Sequence, residues 1–146
     1  MRRTDSEEER TYRILIVDDD KDCLNSLKTT LLREENMILE IFTANNGEEA
    51  LRILKDKGFD LVLSDYKMPG IDGIELLAIV KEKYPNTQRI LITAFSDLTV
   101  AKKAINKAEI NNYIEKPWDT EELKKTIFLA LKRKGERVIV VTRTDD

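Results

Sequence analysis

Five short apolar runs alternate with segments of helical spacing along most of this chain. The runs cover residues 13–17, 38–43, 60–64, 89–93 and 112–115. Short apolar runs of this kind are typical of buried strands, and strands that alternate with helices form right-handed βαβ units. The pattern therefore predicts an α/β fold, with a doubly wound, five-stranded parallel sheet that carries helices on both faces.

The segments between the runs carry helix caps as well as apolar stripes. Asp20 or Asp22 can cap the first helix, and Asp97 can cap the fourth. Asp119, with Glu122 three residues later, has the capping-box pattern and predicts the start of the last helix. The apolar stripe of the first helix consists of Leu24, Leu27, Leu31 and Leu32.

Composition restricts the class of protein. Hydrophobic residues make up 41% of the 146 residues and charged residues 36%, which is typical of a soluble globular domain. The net charge of -3 provides no field that would attract nucleic acid or an anionic membrane. The charged start lacks the apolar core of a signal peptide, and no apolar run approaches the ~20 residues of a membrane span. We expect a cytoplasmic protein with no direct nucleic-acid binding and no membrane contact.

Two tails flank the alternating pattern. Residues 1–11 form a charged N-terminal tail, residues 12–134 the domain, and residues 135–146 a C-terminal extension or linker. The extension contains the β-prone apolar run from Val138 to Val141. Because such a run favours a partner, it could add an edge strand to the sheet, pair with a second copy in a homodimer, or begin a linker to a further domain.

The counts of histidine and cysteine exclude several kinds of site. The chain contains no histidine, so a Ser-His-Asp triad, a histidine metal ligand or a phosphohistidine within the chain is excluded. The single cysteine, Cys23, excludes an internal disulfide and a cysteine metal cluster. Any histidine chemistry must come from a partner.

Three aspartates follow two of the predicted strands directly. Asp18 and Asp19 end the first apolar run, and Asp65 ends the third. Because the carboxyl ends of parallel strands form the binding site of such sheets, the three carboxylates would converge if the two strands are neighbours. Carboxylates that close together repel unless a divalent cation or protons intervene, and hard oxygen ligands suit Mg²⁺. The sequence therefore predicts an acidic Mg²⁺ site.

The next two strands end in a hydroxyl and an amine. Thr93 ends the fourth run, and Lys116, followed by Pro117, ends the fifth. Together with the aspartates these groups suit phosphoryl transfer: Asp65 as the nucleophile, Lys116 neutralising a phosphoryl oxygen and Thr93 donating a hydrogen bond to another. The product would be a labile acyl phosphate, which suits a switch.

Four segments resemble the receiver domain of two-component response regulators, of the chemotaxis-regulator type. The resemblance spans roughly residues 12–134 and implies a flavodoxin-like sheet of strand order 2-1-3-4-5. The segments are Ile14-Leu15-Ile16-Val17-Asp18-Asp19-Asp20, Asp60-Leu61-Val62-Leu63-Ser64-Asp65-Tyr66-Lys67-Met68-Pro69-Gly70-Ile71-Asp72-Gly73, Ile90-Leu91-Ile92-Thr93-Ala94 and Tyr113-Ile114-Glu115-Lys116-Pro117-Trp118.

The resemblance implies a role for each aspartate. Asp65 would be the phosphoacceptor, charged by a sensor histidine kinase or a phosphotransfer protein. Asp19 and Asp65 would hold Mg²⁺ directly, together with the backbone carbonyl of Lys67, and Asp18 would assist through water. The bond from Lys116 to Pro117 would be cis. The chain would then be no general enzyme, since it would catalyse only its own phosphorylation and dephosphorylation.

The resemblance also implies a switch and its timing. The hydroxyl of Thr93 would move toward the phosphoryl group and the ring of Tyr113 would turn inward behind it. The face built from the fourth helix, fifth strand and fifth helix would change shape and control an output partner. Lys67 and Phe95 would flank the phosphate, and their side chains predict slow dephosphorylation, from minutes upward.

Two alternatives remain open at this stage. One is a phosphatase of the haloacid dehalogenase type, whose second acid follows the nucleophilic aspartate by two residues, a spacing that Asp18 and Asp20 satisfy. The other is a binding scaffold that keeps the fold but works without phosphorylation.

Overall fold

A computed structural model describes residues 11–33, 37–94, 102, 104–110 and 112–132 of the chain. Among these residues five strands and five helical segments alternate, as the sequence pattern predicts. The strands are β1 (Thr11–Val17), β2 (Ile38–Ala44), β3 (Leu61–Asp65), β4 (Gln88–Thr93) and β5 (Asn112–Glu115). The helical segments are α1 (Lys21–Leu32), α2 (Gly47–Asp56), α3 (Gly73–Lys83), α4 (Ala104–Ala108) and α5 (Thr120–Lys132), of which α4 has π-helical geometry.

The five strands form one parallel sheet in the order β2-β1-β3-β4-β5. Both the fold class and the strand order implied by the resemblance are therefore confirmed. The order reverses direction after β1, since the chain goes first to β2 on one side and then to β3 on the other. A binding crevice forms at the carboxyl ends of the strands beside such a reversal.

Alternate residues of the strands face two separate cores. One core contains Leu15, Val62 and Leu91 and is covered by α2, α3 and the end of α4. The other contains Ile16, Leu63 and Ile92 and is covered by α1 and α5. Because both faces are covered, β3 and β4 are buried along their whole length, and this explains why they read as continuous apolar runs.

The edge strand β2 is less well covered than the strands inside the sheet. Its first residue, Ile38, is 50% exposed, and Leu32 at the end of α1 is 54% exposed. The prediction that Leu32 belongs to the buried stripe of α1 is therefore wrong, although Leu24, Leu27 and Leu31 are buried as expected. Leu32 is the last residue of α1 and belongs to neither of the two cores.

Polar side chains accept hydrogen bonds from backbone N–H groups in the first turns of α1, α3 and α5. The carboxylate of Asp20 accepts hydrogen bonds from the backbone of Asp22 and Cys23, which confirms Asp20 as a cap. Asp119 likewise accepts from the N–H groups of Glu121 and Glu122. The sequence interpretation missed the full capping box at α3, where Asp72 and Glu75 bond each other's backbone. Asp97 lies outside the described residues.

The end of α4 is held by a buried arginine. Arg89, the second residue of β4, is only 7% exposed. Its guanidinium donates hydrogen bonds to the carbonyl oxygens of Ala108, Glu109 and Thr87 at 3.0, 3.0 and 2.7 Å. Glu109 has a φ of 47°, which ends the helical segment in the left-handed region. The amino end of β4 therefore anchors the carboxyl end of α4.

None of the described helices is long and apolar enough to cross a membrane.

Candidate functional site

Four strands end side by side at one edge of the sheet and bring distant residues together. Asp18 directly follows β1, Asp65 ends β3, Thr93 ends β4 and Lys116 directly follows β5. The order β1-β3-β4-β5 places these ends in one row. The backbone N–H of Lys116 donates to the carbonyl of Thr93 at 2.7 Å, which ties the last two strand ends to each other.

Asp18, Asp19 and Asp65 form one acidic cluster, as the sequence predicts. One carboxylate oxygen from each lies within 4.8 Å of the others. Asp18 is only 1% exposed and Asp65 is 9% exposed, whereas Asp19 is open to solvent. The cluster therefore has two buried carboxylates and one accessible side.

The amine of Lys116 bridges the two buried carboxylates. Its Nζ atom lies 3.0 Å from Oδ2 of Asp18 and 3.2 Å from Oδ1 of Asp65. The other oxygen of Asp18, Oδ1, accepts a hydrogen bond from the backbone N–H of Asp20 at 3.0 Å. Both oxygens of Asp18 are thus engaged, and this explains how its charge is tolerated at such burial.

Burial and neighbouring charge perturb the titration of Asp65 and Lys116. Burial raises the pKa of Asp65, and the charge of Asp18 raises it further, while Lys116 opposes both. Burial by itself would lower the pKa of Lys116, but the hydrogen bond to Asp18 and the charges of Asp65 and Asp18 outweigh it and raise that pKa. Lys116 is therefore a fixed positive charge at neutral pH. Ionisation of Asp65 costs free energy here, because its pKa is raised.

Cys23 lies beside this cluster on the first turn of α1. Burial raises the pKa of its thiol to about 12, and a hydrogen bond with Asp18 adds to the effect. The thiol stays protonated at neutral pH, and a protonated thiol is unreactive.

A close contact between backbones holds the segment that follows Asp65. The N–H of Gly73, the first residue of α3, donates to the carbonyl of Tyr66 at 2.8 Å. A Cβ atom at Gly73 would meet the carbonyl oxygen of Asp65 at 2.0 Å, far inside contact distance. Only glycine lets α3 begin this close to the strand end, a requirement that the sequence analysis did not predict.

The remaining predicted site residues lie around this cluster in different surroundings. Thr93 is 1% exposed, and Tyr113 is partly buried against the core under α2, α3 and α4. Lys67 is exposed, two residues after Asp65. The peptide bond between Lys116 and Pro117 is cis, as the resemblance implies. Phe95 lies outside the described residues.

The donor set fits a hard divalent cation. Three carboxylates supply oxygens within one small volume, and the exposed side of Asp19 leaves room for water ligands. Mg²⁺ is held in just this way in many proteins, by one or two carboxylates and several waters. The negative charge of Asp18 contributes to the raised pKa of Asp65, and a bound cation would offset that charge.

Asp20 bears on the phosphatase alternative. Its carboxylate caps α1 by accepting from two backbone N–H groups. The second acid that a phosphatase of the haloacid dehalogenase type would need is therefore occupied as a helix cap.

Comparison with known proteins identifies the family. A family model described as the response regulator receiver domain matches residues 14–128. The hydrogenase transcriptional regulatory protein HoxA of Cupriavidus necator is 32% identical over 84% of this chain and 24% of its own length. The regulator NtrC of Escherichia coli is 37% identical over 75% of this chain and 22% of its own length. The chain thus spans about a quarter of the length of these curated relatives.

Solved structures agree in fold and in sequence. The signal receiver domain of an HD domain-containing protein from Pseudomonas fluorescens superposes with a TM-score of 0.75 and 38% identity, over 83% of this chain and 87% of that one. The response regulator TrrA of Thermotoga maritima, solved in complex with Mg²⁺ and BeF, has a TM-score of 0.73 and 35% identity, over 82% and 99%. Neither alternative function gains support from these comparisons. With its strand order, its acidic cluster and this match over most of its length, the chain belongs to the response regulator receiver domain family, the phosphoacceptor modules of two-component signalling.

Proposed function

We propose that Asp65 accepts a phosphoryl group from a phosphohistidine of a sensor histidine kinase or a phosphotransfer protein. The observation that carries this proposal is the setting of its carboxylate. Asp65 ends β3, and its Oδ1 atom lies 3.2 Å from the Nζ atom of Lys116. Its carboxylate belongs to the acidic cluster with Asp18 and Asp19. These 146 residues contain no histidine, so the phosphohistidine must lie outside them.

In the transfer step a carboxylate oxygen of Asp65 forms a bond to phosphorus. The bond from phosphorus to the donor's imidazole nitrogen breaks, and its electron pair returns to that nitrogen. Because the phosphoryl oxygens carry the charge of the transition state, groups that lie ready around Asp65 act by electrostatic stabilisation. Lys116 is the fixed cation of this set, and Thr93 supplies a hydroxyl at the neighbouring strand end.

The cation proposed for this site is Mg²⁺, held by carboxylates of Asp19 and Asp65 and the backbone carbonyl of Lys67, with Asp18 assisting through water. When bound it would supply the positive charge that screens Asp65 from the incoming phosphoryl oxygens. The protein residues orient these ligands. Asp18 does so through its bonds to Lys116 and to the backbone of Asp20.

The proposed change of the output face depends on Thr93 and Tyr113. A phosphoryl group on Asp65 favours a state in which the Thr93 hydroxyl approaches it and the ring of Tyr113 turns inward, which changes the face formed by α4, β5 and α5. An output partner or a further domain would read this face. Beyond its own phosphorylation and dephosphorylation the chain would catalyse no reaction.

Incubation with acetyl phosphate and Mg²⁺ tests the acceptor directly, with mass spectrometry of the intact protein. We expect a gain of one phosphoryl group that Asp65→Asn abolishes. Asp72→Asn is the matched control, because asparagine caps α3 as well as aspartate does and leaves the cluster unchanged. Labelling of the Asp65→Asn protein to the same extent would refute the assignment.

The lifetime of the phosphoryl group is a separate proposal. Lys67 is exposed beside the acceptor and adds positive charge near it, and Phe95 would shield the acyl phosphate from water. We expect a half-life of minutes or longer in the purified protein. Loss of the phosphoryl group within seconds would contradict this, and Lys67→Glu and Phe95→Ser would separate the contributions of the two positions.

A further inference from the structure

The segment between Asp65 and α3, residues 66–72, carries one of the oxygen ligands proposed for the cation. This ligand is the backbone carbonyl of Lys67, a residue whose side chain is exposed. The two ends of the segment are tied by the hydrogen bond from the Gly73 N–H to the Tyr66 carbonyl at 2.8 Å. The rest of the segment needs other contacts to hold the Lys67 carbonyl in place, since the neighbours of a ligand orient it.

Ile71, near the end of this segment, lies against the first residue of α2. That residue, Gly47, is buried, and a Cβ atom there would overlap Cγ1 of Ile71 and lie 2.6 Å from its Cδ1. The Ile71 side chain therefore occupies the space that a side chain at position 47 would fill. It also packs against the core that contains Leu15, Val62 and Leu91. Ile71 thus joins the segment both to α2 and to this core.

A second contact joins the same turn of α2 to the segment. Gly70 has a φ of 80°, in the left-handed region. A Cβ atom at Gly70 would lie 3.0 Å from both carboxylate oxygens of Glu48, so this carboxylate lies beside the Gly70 backbone. Glu48 is in the first turn of α2, where the partial positive charge of the helix end favours a carboxylate. Two consecutive residues of α2 therefore contact two consecutive residues of the segment.

The first turn of α2 is itself fixed relative to the acidic cluster. Asn46 caps α2 by accepting a hydrogen bond from the N–H of Glu49 at 2.8 Å. Ala44, the last residue of β2, accepts a hydrogen bond from the N–H of Asp18 at 3.1 Å. The turn is therefore connected to Asp18 on one side and, through Ile71, to the segment that follows the acceptor on the other.

We propose that Ile71, packed against Gly47, is a positioning residue for the cation site. It holds residues 66–72 so that the Lys67 carbonyl stays within reach of a cation bound by the aspartates. This inference rests on the proposed function, because it assumes that Mg²⁺ binds at the acidic cluster. It adds that the affinity for Mg²⁺ depends on a contact outside the cluster, between α2 and the segment.

Calorimetric titration of the full chain with Mg²⁺ tests this role. Ile71→Ala should lower the affinity for Mg²⁺ about tenfold, the loss expected when a residue that orients a ligand is removed. Ile71→Val keeps both branches at Cβ and should retain most of the affinity. Ile53→Ala is the matched control, because Ile53 is also partly buried against the same core but lies within α2. It should lower stability and leave the affinity unchanged.

Paired substitutions at positions 47 and 71 test the contact itself. Gly47→Ala should weaken Mg²⁺ binding, since the new methyl group displaces the Ile71 side chain. In the double variant Gly47→Ala, Ile71→Ala, that methyl group fills part of the space that Cγ1 leaves, so Mg²⁺ should bind more tightly than in Gly47→Ala alone. Gly58→Ala, beyond the other end of α2, meets no atom within 4 Å and should bind Mg²⁺ as the parent chain does.

Four results would overturn the proposal. Equal Mg²⁺ affinity of Ile71→Ala and a parent chain that binds the cation would show that the contact positions no ligand. An equal loss of affinity in Ile53→Ala would assign the effect to a general loss of stability. A double variant that binds no better than Gly47→Ala would refute the contact as the cause. A parent chain that binds no Mg²⁺ would overturn the proposed cation site, and this inference with it.

Discussion

The contact between Gly73 and Asp65 yields the sharpest prediction about how this site is built. In Gly73→Ala the new Cβ atom would lie 2.0 Å from the carbonyl oxygen of Asp65 and 2.9 Å from its carbonyl carbon. Both are backbone atoms, so no side chain can rotate away. To reach even a tight contact, the start of α3 and the end of β3 must part by roughly 1 Å.

The expected cost combines overpacking and a strained hydrogen bond. Overpacking in a close contact costs about 1–3 kcal/mol. The bond from the Gly73 N–H to the Tyr66 carbonyl, 2.8 Å long, is worth roughly 1 kcal/mol more if it is lost. Alanine recovers at most about 1 kcal/mol through its lower chain entropy in the unfolded state. We expect a net loss of about 2 kcal/mol in the free energy of unfolding.

Gly58→Ala is the matched control, because nothing lies within 4 Å of a Cβ atom there. Its free energy of unfolding should equal that of the parent chain or exceed it by less than about 1 kcal/mol. Urea unfolding of the two variants and the parent chain measures the difference. The Mg²⁺ affinity of Gly73→Ala should also fall, since the Asp65 backbone moves, whereas Gly58→Ala should bind as the parent does. Equal stability of the two variants would refute this account of how α3 meets the acceptor.

Three further predictions concern charge, anchoring and capping. Because the pKa of Asp65 is raised, its ionisation costs stability as the pH rises through that pKa. At pH 7 without Mg²⁺, urea unfolding of Asp65→Asn should therefore give a free energy of unfolding about 1 kcal/mol above that of the parent chain, and the difference should vanish in acid. A difference that grows as the pH falls would contradict this sign. Arg89→Met should cost about 3 kcal/mol by leaving the carbonyl groups at the end of α4 without their donor, and Arg89→Lys should restore little, as thermal unfolding would show. Asp72→Ala should cost about 1 kcal/mol and Asp72→Asn almost nothing, so similar losses in the two would rule out the cap as the cause.

Basic side chains make different contacts at the carboxyl and amino edges of the sheet. At the carboxyl edge, Lys116 shares its charge between two buried carboxylates, an arrangement that costs desolvation. At the amino edge, Arg89 satisfies backbone carbonyl groups and fixes the end of α4. The carboxyl end of α4 is thus anchored to the amino end of β4.

The sequence by itself determined the fold class and the chemical character of the site. Buried strands of a parallel sheet must be apolar on both sides, so their runs are visible without the structure. Asp18, Asp65, Thr93 and Lys116 end such runs, and the strand ends of a parallel sheet lie at one edge. These are local properties of the chain, and periodicity and position are enough to reveal them.

Only the tertiary structure decided which groups touch. Lys116 lies 98 residues from Asp18 along the chain, yet their atoms are 3.0 Å apart because β1, β3, β4 and β5 lie side by side. The need for glycine at position 73 comes from the approach of α3 to the end of β3, which no local pattern records. Leu32 fits the helical stripe but is 54% exposed, because burial depends on which elements pack against the helix and not on spacing along it. Contacts of this kind depend on how separate elements pack, and sequence spacing carries no such information.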